Sequence, residues 1–153
     1  MPTCCFPSRL DLVRTLTGRA VAEMTAVLAE VNASDVEADA AWAEFVARVW
    51  PVAHRYRVLL ALRRGEYGET IHGLLGPVDE LLAGLVKRGQ DNNVFAQHLP
   101  AGILSQLAYG VVFAIADSDL SNPTLGARAA TITSLLMLGV PEARAIALAG
   151  DQP

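Results

Sequence analysis

Apolar residues recur at spacings of three and four along almost the whole chain, and this periodicity constrains the fold more than any other feature. Such spacing places side chains on one face of an α-helix. No run of four or more residues alternates cleanly between apolar and polar side chains, as a half-buried strand would. The sequence therefore predicts an all-α fold of about six helices.

The composition supports a single folded domain. The chain has 153 residues, of which 52% are apolar and 18% are charged. A chain of this length buries enough apolar surface to fold without disulfide or metal staples, and it is too apolar to be disordered. Its formal net charge of −4 disfavours a protein that holds nucleic acid unaided, because phosphate contacts require an excess of positive charge.

Helix starts are marked by two capping patterns near the beginning of the chain. Ser8 and Asp11 can satisfy free backbone amides at a helix N-terminus, so the first helix is expected to run from Ser8 to about Val31. Ser34 and Glu37 repeat the pattern and predict the start of a second helix.

Prolines set the next predicted boundaries. Pro51 has no amide hydrogen to donate, so the second helix is expected to end at Trp50 and a third to run from Pro51 to about Arg64. The periodic stretch from Tyr67 to Lys87 contains Gly76-Pro77, and a helix there is expected to kink or split at that pair.

The last third of the chain predicts two helices that are apolar on more than one face. The first spans Leu99 to Ala116, which carries no charged residue, and the second opens at Asn122-Pro123 and continues to Gly139. Such a hairpin exposes a large apolar surface on a monomer, so we expect a homodimer with a four-helix-bundle interface. The expected interface residues are Ile103, Gly110, Phe113, Ala114, Leu125, Ala129, Ile132, Thr133, Leu136 and Met137.

No motif for catalysis or metal binding is present in the sequence. It lacks G-x-S-x-G, H-E-x-x-H, G-x-x-x-x-G-K-[ST] and G-x-G-x-x-G. His54, His72 and His98 are isolated from one another and from the cysteines, so no zinc-ligand spacing occurs. We expect neither an enzyme nor a metal or other cofactor.

The N-terminus and the cysteines predict a cytoplasmic protein. Cys4 and Cys5 are neighbours that are poorly placed for a disulfide, and no signal peptide precedes them. The uncharged stretch 99–116 reaches the length of a short membrane span, but Pro100 and Gly102 interrupt it and no basic cluster flanks it. We therefore expect no membrane insertion.

Three segments of the chain resemble the Tet-repressor-like (TetR) family of bacterial transcriptional regulators. Phe6-Pro7-Ser8-Arg9 with Leu12 is similar to the sequence with which these proteins leave their DNA-binding module and enter the long connecting helix. Lys87-Arg88-Gly89-Gln90, with Val94-Phe95 and Leu99-Pro100, resembles the junction of the seventh and eighth family helices. The segment from Leu99 to Gly139 resembles the family's dimerisation pair.

The resemblance implies a ligand-binding and dimerisation domain over residues 8–150, with residues 1–7 as the remnant of the DNA-binding exit. Only five residues precede Phe6, so we expect no helix-turn-helix, and DNA binding only through pairing with a subunit that has one. A helical membrane-associated or partner-binding protein that uses the apolar C-terminal hairpin is the alternative function.

In the family, a small apolar or amphipathic effector lies among the helices between the connecting helix and the dimerisation pair. An aromatic stripe at helical spacing, which is more often core packing than a pocket wall, falls in that region of this chain. The candidate ligand contacts are Trp42, Phe45, Val46, Val49, Trp50, His54, Tyr56, Val58, Leu62, Arg63, Ile71, Leu74, Leu75, Leu104, Leu107 and Val111.

Overall fold

The computed structural model describes residues 8–56, 65–118 and 123–150, and within these ranges the chain forms seven helices and no strand. The predicted all-α class is confirmed. The helices are α1 (Arg9–Ala33), α2 (Ala38–Arg55), α3 (Gly68–Leu74), α4 (Gly76–Asp91), α5 (Ala101–Ala116), α6 (Pro123–Met137) and α7 (Glu142–Gly150).

The first helix begins where the capping pattern predicts, but the second does not use its pattern. The Ser8 hydroxyl accepts a hydrogen bond from the Asp11 amide at 3.1 Å, which satisfies a free donor at the start of α1. Ser34 instead donates its hydroxyl to the Val31 carbonyl at 2.7 Å and closes the end of α1. Helix α2 begins after Glu37 without a side-chain cap.

The prediction that the second helix ends at Trp50 is wrong, because α2 continues through Pro51 to Arg55. An interior proline costs a helix about 3 kcal/mol. Val52 and Ala53 are buried directly after it, and burying a valine side chain recovers about 1.5–3 kcal/mol. Pro51 itself is exposed, so its ring projects into solvent. Residues 57–64 of the predicted third helix lie outside the described residues.

The predicted break at Gly76-Pro77 is confirmed. Helix α3 ends at Leu74 and α4 begins at Gly76, with the Leu75 amide bonded to the Ile71 carbonyl at 3.1 Å. Pro77 lies in the first turn of α4, where its missing amide hydrogen removes no helical hydrogen bond.

Helix α2 lies at the centre of the domain and packs against α1, α4, α5, α6 and α7. Its aromatic stripe forms the core, since Trp42, Phe45 and Val46 are all completely buried. The Trp42 Nε1–H donates to the Ser134 hydroxyl on α6 at 2.9 Å. That hydrogen bond satisfies the buried indole and positions α6 against α2.

Helix α6 ends two residues earlier than the apolar pattern indicates. The stripe predicts a helix through Gly139, whereas α6 stops at Met137 and Gly139 adopts a left-handed conformation with φ of 90°. The chain then reverses and the Leu138 carbonyl accepts a hydrogen bond from the Ala96 amide at 2.8 Å. A Cβ at Gly139 would lie 2.7 Å from the Ala96 Cβ, so both the backbone angle and the contact require glycine.

No helix beyond Gly139 was predicted, but the structure has α7 (Glu142–Gly150). This short helix packs against α6 and α2. Arg144 of α7 forms two hydrogen bonds with the Asp39 carboxylate of α2, at 2.9 and 3.3 Å. The hydrogen bond and the negative charge of Asp39 raise the pKa of Arg144 above its ordinary value, so Arg144 stays charged.

Candidate ligand-binding cleft

A narrow apolar cleft of about 40 Å³ lies between α1, α2, α3 and α5. Its walls come from four separate helices and are almost entirely apolar, which is typical of a site for a small apolar ligand. The residues that line it are Thr17, Ala20, Met24, Val52, Ala53, Tyr56, Ile71, Leu75, Tyr109 and Phe113.

Helical spacing explains how α1 and α2 form their walls. Thr17, Ala20 and Met24 follow one another at three and four residues and so share the buried face of α1. Val52 lies in the last turn of α2, and Tyr56, four residues further on, is the C-cap of that helix. This wall of α2 exists only because the helix continues past Pro51.

An aromatic pair on α5 forms the opposite wall. The rings of Tyr109 and Phe113 meet edge to face, with centroids 4.5 Å apart and planes at 77°. The Tyr109 hydroxyl lies 3.4 Å from the Met24 sulfur across the cleft. Tyr109 is buried and Phe113 is half-buried, so Phe113 is the aromatic side chain at the opening on this side.

The Thr17 hydroxyl is the unusual polar group of the cleft. Thr17 is 1% exposed, and its Oγ1 has no hydrogen-bond partner among the described residues. The buried Thr131 on α6, by contrast, donates its hydroxyl to the Ala127 carbonyl at 2.9 Å. Leaving a buried hydroxyl unpaired costs about 1–3 kcal/mol, so Thr17 brings an unsatisfied hydroxyl to the wall of an apolar cleft.

Charge lies outside the cleft in the described part of the chain. Arg55 pairs with Glu23 at 2.6 Å and joins α2 to α1 on the surface, while its guanidinium carbon lies 5.7 Å from the Tyr56 ring centroid. The hydrogen bond to Glu23 and that carboxylate's charge raise the pKa of Arg55. Because this cation already has its counter-charge, it is poorly available to an anionic ligand.

A second, polar depression of about 70 Å³ adjoins the cleft. Leu75 and Tyr109 belong to both, so the two cavities share a wall. His72, Asp79 and Gln106 complete the depression, which places polar side chains from α3, α4 and α5 beside an apolar interior.

Three of the predicted ligand contacts line the cleft, namely Tyr56, Ile71 and Leu75. Several others belong to the core of α2 and α5 and do not reach it; these are Trp42, Phe45, Val46, Val49 and Leu104. Burial at helical spacing is common to core and pocket, and for this reason periodicity alone does not separate them.

The remaining predicted contacts lie elsewhere or outside the described residues. Trp50 and His54 pack edge to face at 5.0 Å, away from the cleft lining. Leu107 is 46% exposed on the outer side of α5. Leu74 and Val111 are half-buried but do not line the cleft. The predicted contacts outside the described residues are Val58, Leu62 and Arg63.

None of the α1 wall residues was among the predicted contacts. The buried residues of α1 form the series Val13, Thr17, Ala20, Met24, Leu28 and Val31. Thr17 is the polar member of an otherwise apolar stripe, and that interruption is the signal in the sequence that points to it. Tyr109 and Val52 carried no comparable signal, because their place at the cleft depends on how α2 and α5 pack.

The predicted dimer residues mark a separate, exposed apolar surface on α5 and α6. Ile103 is 50% exposed, Leu125 54% and Leu136 44%, and Met137 is also exposed. Ala114 and Thr133 are exposed beside them, whereas Gly110, Ala129 and Ile132 are half-buried. Phe113 lies at the cleft as described above. No helix in the described ranges is both long and apolar enough to cross a bilayer.

The described residues contain no group of three His, Cys, Asp or Glu side chains placed to hold a metal ion. Comparison of the chain with protein-family models, curated proteins and solved structures finds no match.

Proposed function

We propose that this chain is the effector-binding and dimerisation domain of a TetR-like bacterial transcriptional regulator, and that its effector is a small apolar or amphipathic molecule. The observation that carries the proposal is the position of α5. One face of this helix presents Tyr109 and Phe113 to the cleft, and another presents Ile103 and Leu107 to solvent. One helix thus connects a candidate ligand site with a candidate subunit interface.

The exposed apolar surface supports a homodimer. Large apolar side chains that are about half exposed on two neighbouring helices favour association, because burying them removes apolar area from water. A twofold axis through α5 and α6 pairs the two helices with their copies in a four-helix bundle. In this proposal the half-buried Gly110 and Ala129 permit close approach of the backbones.

The shared helix also provides a mechanism for sensing. A ligand in the cleft contacts Tyr109 and Phe113, so it favours whichever position of α5 fits it best. Because the outer face of the same helix forms the interface, that preference changes the relative placement of the two subunits. DNA contact in the assembly comes from a subunit that carries a helix-turn-helix, so pairing with such a subunit transmits the response.

Sedimentation equilibrium at micromolar concentration tests the dimer. We expect the wild-type chain to be dimeric, and the double variant Leu107→Glu/Leu136→Glu to be monomeric, because two buried carboxylates in each subunit would face the twofold partner without counter-charges. Leu12→Glu is the matched control, since Leu12 is 51% exposed on α1, outside the proposed interface. It is expected to remain dimeric.

A monomeric wild-type chain at these concentrations would contradict the proposal. It would favour the alternative function, a helical protein whose α5 and α6 surface binds a different protein or a membrane. Dissociation by Leu12→Glu as well would show that the charge acts nonspecifically and would remove the support for α5 and α6 as the interface.

A further inference from the structure

The unpartnered hydroxyl in the cleft suggests the chemical class of the effector. We propose that the cleft binds a slender, uncharged aliphatic molecule with one hydroxyl or carbonyl oxygen, and that Thr17 Oγ1 is its hydrogen-bond partner. This inference rests on the proposed effector-binding function and specifies the ligand of the same site. It follows from the hydroxyl's lack of a partner, the absence of charge in the described lining, and the width of the cleft.

The unsatisfied hydroxyl of Thr17 indicates that the ligand carries an oxygen. A helical threonine ordinarily donates its hydroxyl to a carbonyl of the preceding turn, as Thr131 does to Ala127 and as Ser134 does to Ala130. The Thr17 hydroxyl makes no such bond in the described structure, although it lies on a helix. Because Thr17 lines the cleft, rotation of its side chain brings the hydroxyl within reach of a ligand oxygen there, which satisfies it either by accepting its proton or by donating one.

The uncharged lining of the described cleft indicates that the ligand is neutral. None of the residues that line the described cleft is Asp, Glu, Lys, Arg or His. An ionised carboxylate placed there would lose its hydration without gaining a counter-ion, at a cost of several kcal/mol. Arg55, which precedes the lining residue Tyr56 in sequence, is bonded to Glu23. The site therefore favours a neutral oxygen over a carboxylate.

The small volume of the cleft indicates that the ligand is slender. A cavity of about 40 Å³ has room for about three water-sized groups, whereas an apolar cavity that binds benzene measures about 150 Å³. About three groups of an unbranched chain enter such a cleft without movement, whereas a six-membered ring has to enter whole; a longer chain needs the cleft to widen along its length. Met24 has a flexible side chain that is able to make room for further methylene groups, and the half-buried Phe113 stands at the opening.

Methyl NMR of the full chain tests the inference with three probes of equal chain length: 1-hexanol, n-hexane and hexanoate. The Met24 methyl group reports on the cleft, and the Met137 methyl group, which is exposed on α6, reports nonspecific binding to the apolar surface. We expect 1-hexanol to shift the Met24 signal saturably, n-hexane to bind more weakly and hexanoate to bind least.

Two isosteric variants separate the hydroxyl from the cavity. Thr17→Val is expected to weaken 1-hexanol binding about 3- to 10-fold and to leave n-hexane binding unchanged, because it removes one hydrogen bond and keeps the shape. Thr131→Val, which removes a buried hydroxyl away from the cleft, is expected to change neither. Thr17→Ser is expected to restore the preference for the alcohol.

Equal binding of 1-hexanol and n-hexane to the wild-type chain, which requires no variant, would overturn the inference and leave ligand binding in the cleft intact. Tighter binding of hexanoate would overturn it also, and would indicate a cationic site. If no probe shifts the Met24 signal, both the inference and the sensing part of the proposed function fail. Shifts at Met137 alone count as that same failure.

Discussion

At the residue scale, three buried polar side chains differ in how their hydrogen bonds are satisfied. Trp42 donates to Ser134, Asp39 accepts from Arg144, and Thr17 has no partner among the described residues. The first two join α2 to helices that lie far away in sequence. The third belongs to a residue that lines the cleft, and its lack of a protein partner distinguishes Thr17 from an ordinary core threonine, whose hydroxyl is hydrogen-bonded.

The stability of two valine variants measures this difference. Thr17→Val is expected to raise the free energy of unfolding by about 1 kcal/mol, because it removes an unsatisfied buried hydroxyl without leaving a cavity. Thr131→Val is expected to lower it by about 1 kcal/mol, because it breaks the bond to the Ala127 carbonyl. Urea denaturation gives both values. A loss of stability in Thr17→Val would mean that its hydroxyl is satisfied in solution.

At the element scale, packing decides helix length against local preference. Helix α2 passes through Pro51 because the buried residues around it, Trp50, Val52 and Ala53, gain more from the core than the missing hydrogen bond costs. Gly76-Pro77 has the opposite outcome, since a new helix starts there and the proline occupies its first turn. The same residue type thus interrupts one helix and not the other.

The short helix α7 gives a prediction at this scale. Arg144→Ala is expected to lower the free energy of unfolding by about 1–2 kcal/mol, after allowance for solvent screening of the half-exposed arginine. The loss arises because Asp39, which is 6% exposed, keeps its carboxylate in the interior without a counter-charge.

Lys87→Ala is the control for this experiment. It breaks the exposed ion pair between Lys87 and Asp91, a contact of 2.6 Å on the surface of α4. Exposed pairs of this kind contribute a few tenths of a kcal/mol, so the variant is expected to unfold almost as the wild type does. Equal losses in both variants would show that burial of Asp39 has no energetic role in docking α7.

At the scale of the whole molecule, a cleft and an exposed apolar surface lie on different faces of α5. Ile103 and Leu125 are about half exposed, and in the proposed dimer their burial links folding to protein concentration. In our proposal, the interface and the ligand site then share one helix, so folding, assembly and ligand binding are thermodynamically linked.

Thermal unfolding at several concentrations tests this linkage. A tenfold increase in protein concentration is expected to raise the Tm of the wild-type chain by roughly 1–3 °C, because unfolding then also separates the subunits. The Tm of Leu107→Glu/Leu136→Glu is expected to be independent of concentration. A concentration-independent Tm in the wild-type chain would argue against an obligate dimer.

Local signals in the sequence were sufficient for the helical class, the Ser8 cap, the break at Gly76-Pro77 and a C-terminal pair with apolar outer faces. These features depend on residues within one or two helical turns of each other, so they can be predicted from the local sequence. The passage of α2 through Pro51 and the position of the cleft were decided by tertiary structure alone. Both depend on contacts between helices distant in sequence, where burial outweighs local propensity and where the same apolar spacing serves a core or a cavity wall.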